Sequence, residues 1–315
     1  MDTPASFAHI QIAATGNYVP PRIVTNDEMA SYVDTSDDWI VSHTGIKERR
    51  WAEEGISTSE MAYQAAMNLL SKGDHQIDAI ICATATSDYP GFPSVACILA
   101  ERLGVFGPAL DVSAGCTGFI YALEVARGLI AGKTARTVLV IGSEKLSDVL
   151  DLTDRNTCVL FGDGAAAVLL QSSHEPLFID TYIKSEGAGS QSLTIDAQRK
   201  VITMQGRAVY AFAVRVIAET IDALLERNDL TIDEIDWIVP HQANSRIITA
   251  SAKRYGIEES KFFMNIDRYA NTSAASIPLA LSEMEEKGLL KSGQRIILVG
   301  FGAGLTYGGN LLIWR

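Results

Sequence analysis

Three side chains in this sequence have the types and settings that acyl transfer requires: a cysteine, a histidine and an asparagine. Cys116 sits in Ala109-Leu-Asp-Val-Ser-Ala-Gly-Cys-Thr-Gly118, where a short strand-like run meets small residues before the apolar, helix-period segment Phe119-Ile-Tyr-Ala-Leu-Glu-Val-Ala126. A thiol at a helix N-terminus feels the helix dipole and unpaired N–H groups, which favour the thiolate that attacks carbon. Gly115 and Gly118 let backbone and substrate come close. His241 lies in Val239-Pro-His-Gln-Ala-Asn-Ser-Arg246, at the end of the apolar run Ile235-Asp-Trp-Ile-Val239, where open α/β sheets place ligand chemistry. Asn271 opens Asn271-Thr-Ser-Ala-Ala-Ser-Ile-Pro278, again small residues before a helix. Taken singly, Cys116 reads as an inert buried thiol and Asn271 as a helix cap. Together with His241 they read as a nucleophile and two hydrogen-bonding partners.

The turn Gly302-Ala-Gly304 is suited to presenting the N–H of Ala303 to an oxyanion. By contrast, Gly162-Asp-Gly164 lacks the strand-then-helix context of a nucleotide loop and reads as a structural turn. The other cysteines, Cys82, Cys97 and Cys158, lie in apolar stretches and read as core. With no C-x-x-C pair, neither a metal site nor a disulfide scaffold is expected.

Those residues need a frame. At 315 residues and 47% hydrophobic, the chain has material for a large core in two domain-sized halves. A formal charge of −12 argues against a general nucleic-acid surface or a polybasic membrane contact, so an acidic partner would have to dock locally. The first ten residues carry no basic, apolar targeting pattern and no run of about 18 apolar residues occurs, which points to a soluble cytoplasmic protein.

Internal similarity supplies the organisation. Ile77-Asp-Ala-Ile-Ile81 recurs as Ile235-Asp-Trp-Ile-Val239, Leu103-Gly-Val105 as Tyr255-Gly-Ile257, Gly128-Leu-Ile130 as Gly288-Leu-Leu290, and Val138-Leu-Val140 as Ile297-Leu-Val299. The spacing from aspartate to the last strand is 60 residues in the first copy and 61 in the second, so a duplicated α/β unit is expected. The halves are drawn at 1–175, carrying the cysteine, and 176–315, carrying the histidine and asparagine. β-branched runs alternating with helical patterns predict mostly parallel strands covered by helices.

The full set of motifs resembles the β-ketoacyl-acyl carrier protein synthase III family, over nearly the whole chain. Its marks are Asp37-Asp-Trp-Ile-Val-Ser-His-Thr-Gly-Ile-Lys-Glu-Arg-Arg50, Gly91-Phe-Pro-Ser94, the Cys116 segment, Thr153-Asp-Arg-Asn-Thr157, Phe161-Gly-Asp-Gly-Ala165, Met204-Gln-Gly206, His241-Gln-Ala-Asn244, Asn271-Thr-Ser273 and Gly300-Phe-Gly-Ala-Gly304. The resemblance implies an α/β chain in a thiolase-like five-layer αβαβα fold of two duplicated halves, and a homodimer. It implies condensation of a short acyl-CoA, as substrate rather than cofactor, with malonyl-acyl carrier protein, which starts fatty acid synthesis. Cys116 would carry the acyl group, His241 and Asn271 would stabilise the enolate, and the N–H groups of Cys116 and Ala303 would hold the oxyanion.

By the same resemblance, Trp39 and Arg155 would clamp the adenine of CoA, with Thr35, His43, Gly206, Arg207 and Asn244 along the channel. Phe301 would border the acyl pocket, and Phe92 would reach across a dimer to wall the partner's pocket. Gln242, Arg246, Lys253 and Arg254 would form the docking face for the acidic carrier protein. Two departures stand out. His43 occupies a position where the motif has arginine, with Lys47, Arg49 and Arg50 nearby as substitute cations, and Tyr307 replaces a tryptophan. The rival readings are a sister condensing or acyl-transfer enzyme of secondary metabolism, and a catalytically silent acyl-CoA-binding protein.

Overall fold

The structure, a computed structural model, describes residues 9–315, so most of the N-terminal segment read above for a targeting signal lies outside it. In one sheet, β1 (Ile10–Tyr18), β2 (Ala79–Ala83), β3 (Ala109–Val112), β4 (Thr137–Glu144) and β5 (Gly164–Ser172) run in the order β1-β5-β4-β2-β3. In the other, β6 (Phe178–Ser185), β7 (Trp237–Pro240), β8 (Arg295–Gly302) and β9 (Thr306–Ile313) run in the order β7-β8-β9-β6. The two orders correspond. β4 is parallel to β2 and antiparallel to β5, as β8 is parallel to β7 and antiparallel to β9. Even the edge strand β3 has a counterpart, a parallel bridge from Phe262 to Ile238.

Mostly parallel pairing is not what forms. The pairs β1/β5, β4/β5, β8/β9 and β9/β6 are antiparallel. The connection from β8 to β9 is residues 303–305, far too short for a parallel crossover, so the glycine-rich turn closes a hairpin.

Helices cover both sheets. α1 (Thr58–Leu70) and α2 (Val95–Leu103) pack on the outer face of the first sheet. α3 (Gly118–Ala131) lies between the sheets, and α4 (Gly206–Arg227) and α5 (Ser245–Tyr255) cover the outer face of the second. α6 (Ser276–Glu286) joins α3 in the middle, which gives five layers. The strand residues divide by parity: Ile81, Ala83, Val138 and Val140 face the middle layer, while Ile80, Cys82, Leu139 and Ile141 face α1 and α2. Each buried aliphatic side chain contributes about 1.5–3 kcal/mol, so strands that are apolar on both faces need a helical layer on each.

Local signals set the helix ends. α2 and α5 both stop at a glycine in the left-handed region, Gly104 (φ +69°) and Gly256 (φ +64°), the two positions paired by the internal repeat. α2 also corrects the reading of Cys97 as core: its buried stripe is Val95, Ala96, Leu99 and Ala100, which turns Cys97 outward. Among the described residues, no helix is long and apolar enough to cross a membrane, and no cluster of three or more His, Cys, Asp or Glu could hold a metal ion.

Candidate active site

The middle layer aims two helix starts at one spot. Single 3-10 turns, Gly115–Thr117 and Ser273–Ala275, precede α3 and α6 and touch each other. Cys116 sits on the first. Asn271 stands just before the second, pinned by its N–H to the carbonyl of Leu160 (3.0 Å) and by the N–H of Gly162 to its own carbonyl (3.0 Å). His241 follows β7 directly, and its N–H extends the ladder to the carbonyl of Val299 (2.8 Å). Cys116, His241 and Asn271, drawn from both halves of the chain, line one cavity of about 90 Å³. Phe301 lines it too and meets the His241 ring edge-on at 5.2 Å.

Each of the three has a defined chemical state. The Asn271 Oδ1 accepts the N–H of Ser273 (2.8 Å), which leaves its amide N–H groups free to donate to a ligand. His241 is buried, its Nδ1 has no hydrogen-bond partner, and burial pushes its pKa down to about 3, so the ring is neutral at physiological pH. Cys116 departs from the sequence reading. Burial pushes its pKa up to about 11, outweighing the pull toward thiolate of the nearby Ser273 hydroxyl and the N–H groups of Cys116 and Ala303. The resting nucleophile is a thiol, because the local helix-end signal is overridden by desolvation.

The turn between β8 and β9 is pressed against the nucleophile. A Cβ on Gly302 would lie 2.7 Å from the Cys116 Cβ and 3.0 Å from its backbone N, and one on Gly115 (φ +51°) would lie 2.9 Å from the Ala303 Cβ. Gly302→Ala is therefore expected to displace Cys116 from the Ala303 N–H and slow its acylation at least tenfold, with little loss of secondary structure. Single-turnover acylation beside a circular dichroism spectrum checks this.

A second, apolar cavity of about 60 Å³ lies on the other side of Cys116, bounded by Leu146, Phe161, Leu193, Ile195 and Ile202. Ala303 and Ser273 also line it. Phe92 lines neither cavity of its own chain and is 88% exposed.

Four of the residues read as the CoA channel, Trp39, His43, Arg155 and Asn244, form one connected group. The Arg155 guanidinium lies 4.6 Å from the Trp39 ring centre, and the His43 ring stacks on Trp39 at 4.4 Å, with Nδ1 2.8 Å from the Trp39 carbonyl. Asn244 caps α5 and donates from Nδ2 to the His43 carbonyl (2.9 Å), tying this group to the mouth of the Cys116 cavity, which Gly206 also lines. Thr35 Oγ1 is buried without a partner, and Arg207 is exposed at the start of α4.

Two sequence readings fail here. Gln242 is 1% exposed; its amide donates to the carbonyls of Pro240 and Phe263 and accepts the N–H of Asn265, so it braces the His241 loop and faces no partner. Arg254 pairs with Asp222 of α4 but stays exposed beside Arg246 and Lys253, so all three cations of that face are open to solvent. Arg49 is fully buried, donating to Asn26, Val24 and Val159, and has no path to a ligand. Two polar residues escaped notice, Ser273 and Glu144. The signal for Glu144 was a single acid ending the otherwise apolar strand Val138-Leu-Val-Ile-Gly-Ser-Glu144.

Comparison with known proteins agrees across the chain. Residues 110–187 match the family model described as 3-oxoacyl-[acyl-carrier-protein (ACP)] synthase III, and residues 225–314 match its C-terminal companion. The chain is 43% identical to the beta-ketoacyl-[acyl-carrier-protein] synthase III of Clostridium tetani, over 97% of this chain and 98% of the relative. Among solved structures, that of synthase III from Thermus thermophilus superposes with a TM-score of 0.94 at 41% identity, covering 97% of this chain and 99% of the other. The Aquifex aeolicus VF5 enzyme superposes with a TM-score of 0.93 at 43% identity, covering 97% and 100%.

Proposed function

The chain belongs to the β-ketoacyl-acyl carrier protein synthase III family and is a thiolase-fold condensing acyltransferase, joining an acyl-CoA to malonyl-acyl carrier protein at the start of fatty acid synthesis; from that premise we propose that Cys116, His241 and Asn271 carry the chemistry. The observation that carries this reading is the meeting of all three side chains in one cavity. Cys116 attacks the thioester carbon of acyl-CoA, and the N–H groups of Cys116 and Ala303 hold the developing oxyanion. The C–S bond to CoA breaks, and the acyl chain lies in the apolar cavity beyond Cys116, whose small volume suits a short primer. Malonyl thioester then enters the vacated channel and loses carbon dioxide. His241 and Asn271 donate hydrogen bonds to the enolate oxygen, and the carbanion attacks acyl-Cys116. Assay of a panel of acyl-CoAs with malonyl-acyl carrier protein tests the reading: short primers yield a 3-oxoacyl thioester with release of carbon dioxide. A silent acyl-CoA-binding protein would yield none.

The nucleotide end of CoA is read as stacking in the group of Trp39 and Arg155, with the unpartnered Thr35 Oγ1 beside it, and Asn244, Gly206 and Arg207 along the way in. The His43 ring is committed to Trp39, so it offers a phosphate less than a flexible guanidinium would. His43→Arg is expected to lower the Michaelis constant for acyl-CoA about fivefold at low salt, roughly 1 kcal/mol for a pair near solvent, with the gain shrinking as salt rises.

Arg246, Lys253 and Arg254 offer the acidic carrier protein a local positive face on an acidic molecule. A homodimer is supported by the edge strand β3, which among the described residues pairs with β2 alone and exposes Leu110. Phe92, Phe106 and Tyr89 are also exposed. In that dimer Phe92 walls the partner's acyl cavity. Four free cysteines suit a reducing, cytoplasmic setting.

A further inference from the structure

The mechanism above leaves one proton without a keeper: the one on Cys116, which must leave as the sulfur attacks. His241 is a poor base for it, since burial pushes its pKa down to about 3. Behind the nucleophile, away from the His241 cavity, lies Glu144, the last residue of β4, with no solvent exposure. Its carboxylate accepts the Ala85 N–H at both oxygens (3.2 and 3.0 Å), the Thr86 hydroxyl (2.7 Å) and the Thr84 hydroxyl (3.3 Å). Ser273 lines the same apolar cavity as Cys116, on the turn that packs against both the Cys116 turn and β4, the strand that Glu144 ends. It is held there in a left-handed conformation (φ +49°) that non-glycine residues seldom adopt, with its N–H fixed by Asn271.

We propose that Glu144 is the base for acylation, acting through the Ser273 hydroxyl: as the Cys116 sulfur bonds to the acyl carbon, its proton passes to Ser273 Oγ and the Ser273 proton passes to Glu144. The C–S bond to CoA breaks with its electron pair left on the CoA sulfur, which takes a proton from solvent. When the carbanion later displaces Cys116, the sulfur recovers the stored proton from Glu144 by the same path, and the cycle closes.

Charge explains why this path is favoured. A free thiolate beside an ionised Glu144 would put two anions in one buried pocket, and both burial and the carboxylate act against it. Moving the proton along the relay keeps the pair at a single negative charge until that charge leaves on CoA. Burial also raises the pKa of Glu144, making it a stronger base than an exposed carboxylate. The surrounding titratable groups do not compete. Cys82 on β2 is fully buried with its pKa raised well above normal, Lys145 turns to Asp148, and Asp111 caps α2 at Val95 and Ala96.

The inference rests on Cys116 being the acylated residue, and the test separates the two. Single-turnover acylation by acetyl-CoA is followed by quenched intact-mass measurement from pH 6.5 to 9 in wild type, Glu144→Gln and Ser273→Ala. In wild type the relay takes the proton, so the acylation rate rises far less than tenfold per pH unit. Each variant is expected to slow on the order of a hundredfold at pH 7 and to gain about tenfold per pH unit, because only the rare thiolate then reacts. Ser273→Ala leaves Glu144 with its Ala85, Thr84 and Thr86 donors, so it answers the question even if Glu144→Gln misfolds. Acylation of Cys116 in Ser273→Ala at a wild-type rate with the wild-type pH profile overturns the relay and leaves the nucleophile assignment standing. An adduct that survives in Cys116→Ala overturns the assignment itself.

Discussion

Incubated with a short acyl-CoA, the wild-type chain gains the mass of one acyl group, and the Cys116→Ala variant gains none. The expectation rests on position. Among the four free cysteines, only Cys116 lines both cavities, with the turn of Gly302 and Ala303 pressed against it. Cys82 and Cys158 are sealed in core clusters, and burial pushes both their thiols up. Cys97 is exposed on α2, but its thiol donates to the Ala109 carbonyl (3.5 Å), and it lines neither cavity. Loss of the nucleophile removes the covalent route altogether, so condensation falls to background. Peptide mapping of any wild-type adduct identifies the site. An adduct on Cys82, Cys97 or Cys158 would sink the assignment.

The parts of this site that were legible in the sequence are those whose meaning is local. Cys116, His241 and Asn271 each announce themselves by small residues before a helix, and the repeat of Ile77–Ile81 in Ile235–Val239 already paired β2 with β7, the strand that ends at His241. What stayed hidden depends on burial and on contacts between the halves. A helix start argues for a thiolate at Cys116, yet its surroundings, supplied by β8, β4 and the Ser273 turn, hold it as a thiol. Gln242 adjoins His241 in a motif, and only the fold reveals that the Phe263 and Asn265 backbone consumes its amide. Arg49 and Arg50 read together as substitute cations, but in the short strand Glu48–Arg50 alternation sends Arg49 inward. Glu144 and Ser273 are far apart in the chain and show no shared pattern; they meet because α6 starts beside the end of β4.

His241→Ala and Asn271→Ala should keep measurable acylation of Cys116 while condensation falls on the order of a hundredfold or more for each lost donor. The division follows from what each group offers. Asn271 has its Oδ1 occupied by Ser273, so only its amide N–H groups face a ligand, and a donor is what a developing enolate oxygen needs. His241 is neutral because burial pushes its pKa down to about 3, and a neutral imidazole still donates through its one N–H. Neutrality matters chemically: an imidazolium would be acidic enough to protonate the carbanion and end the reaction at decarboxylated thioester, whereas neutral imidazole stabilises the enolate and keeps its proton. The condensation rate should therefore show no inflection near the usual histidine value of about 6.5. Asn271→Ala also frees the Ser273 N–H, so Asn271→Asp, which keeps an acceptor for that group and loses the donors, separates the two roles. Acylation and condensation are read from one reaction as adduct mass and 3-oxoacyl product. Condensation near the wild-type rate in both alanine variants would exclude His241 and Asn271 as the groups that hold the enolate.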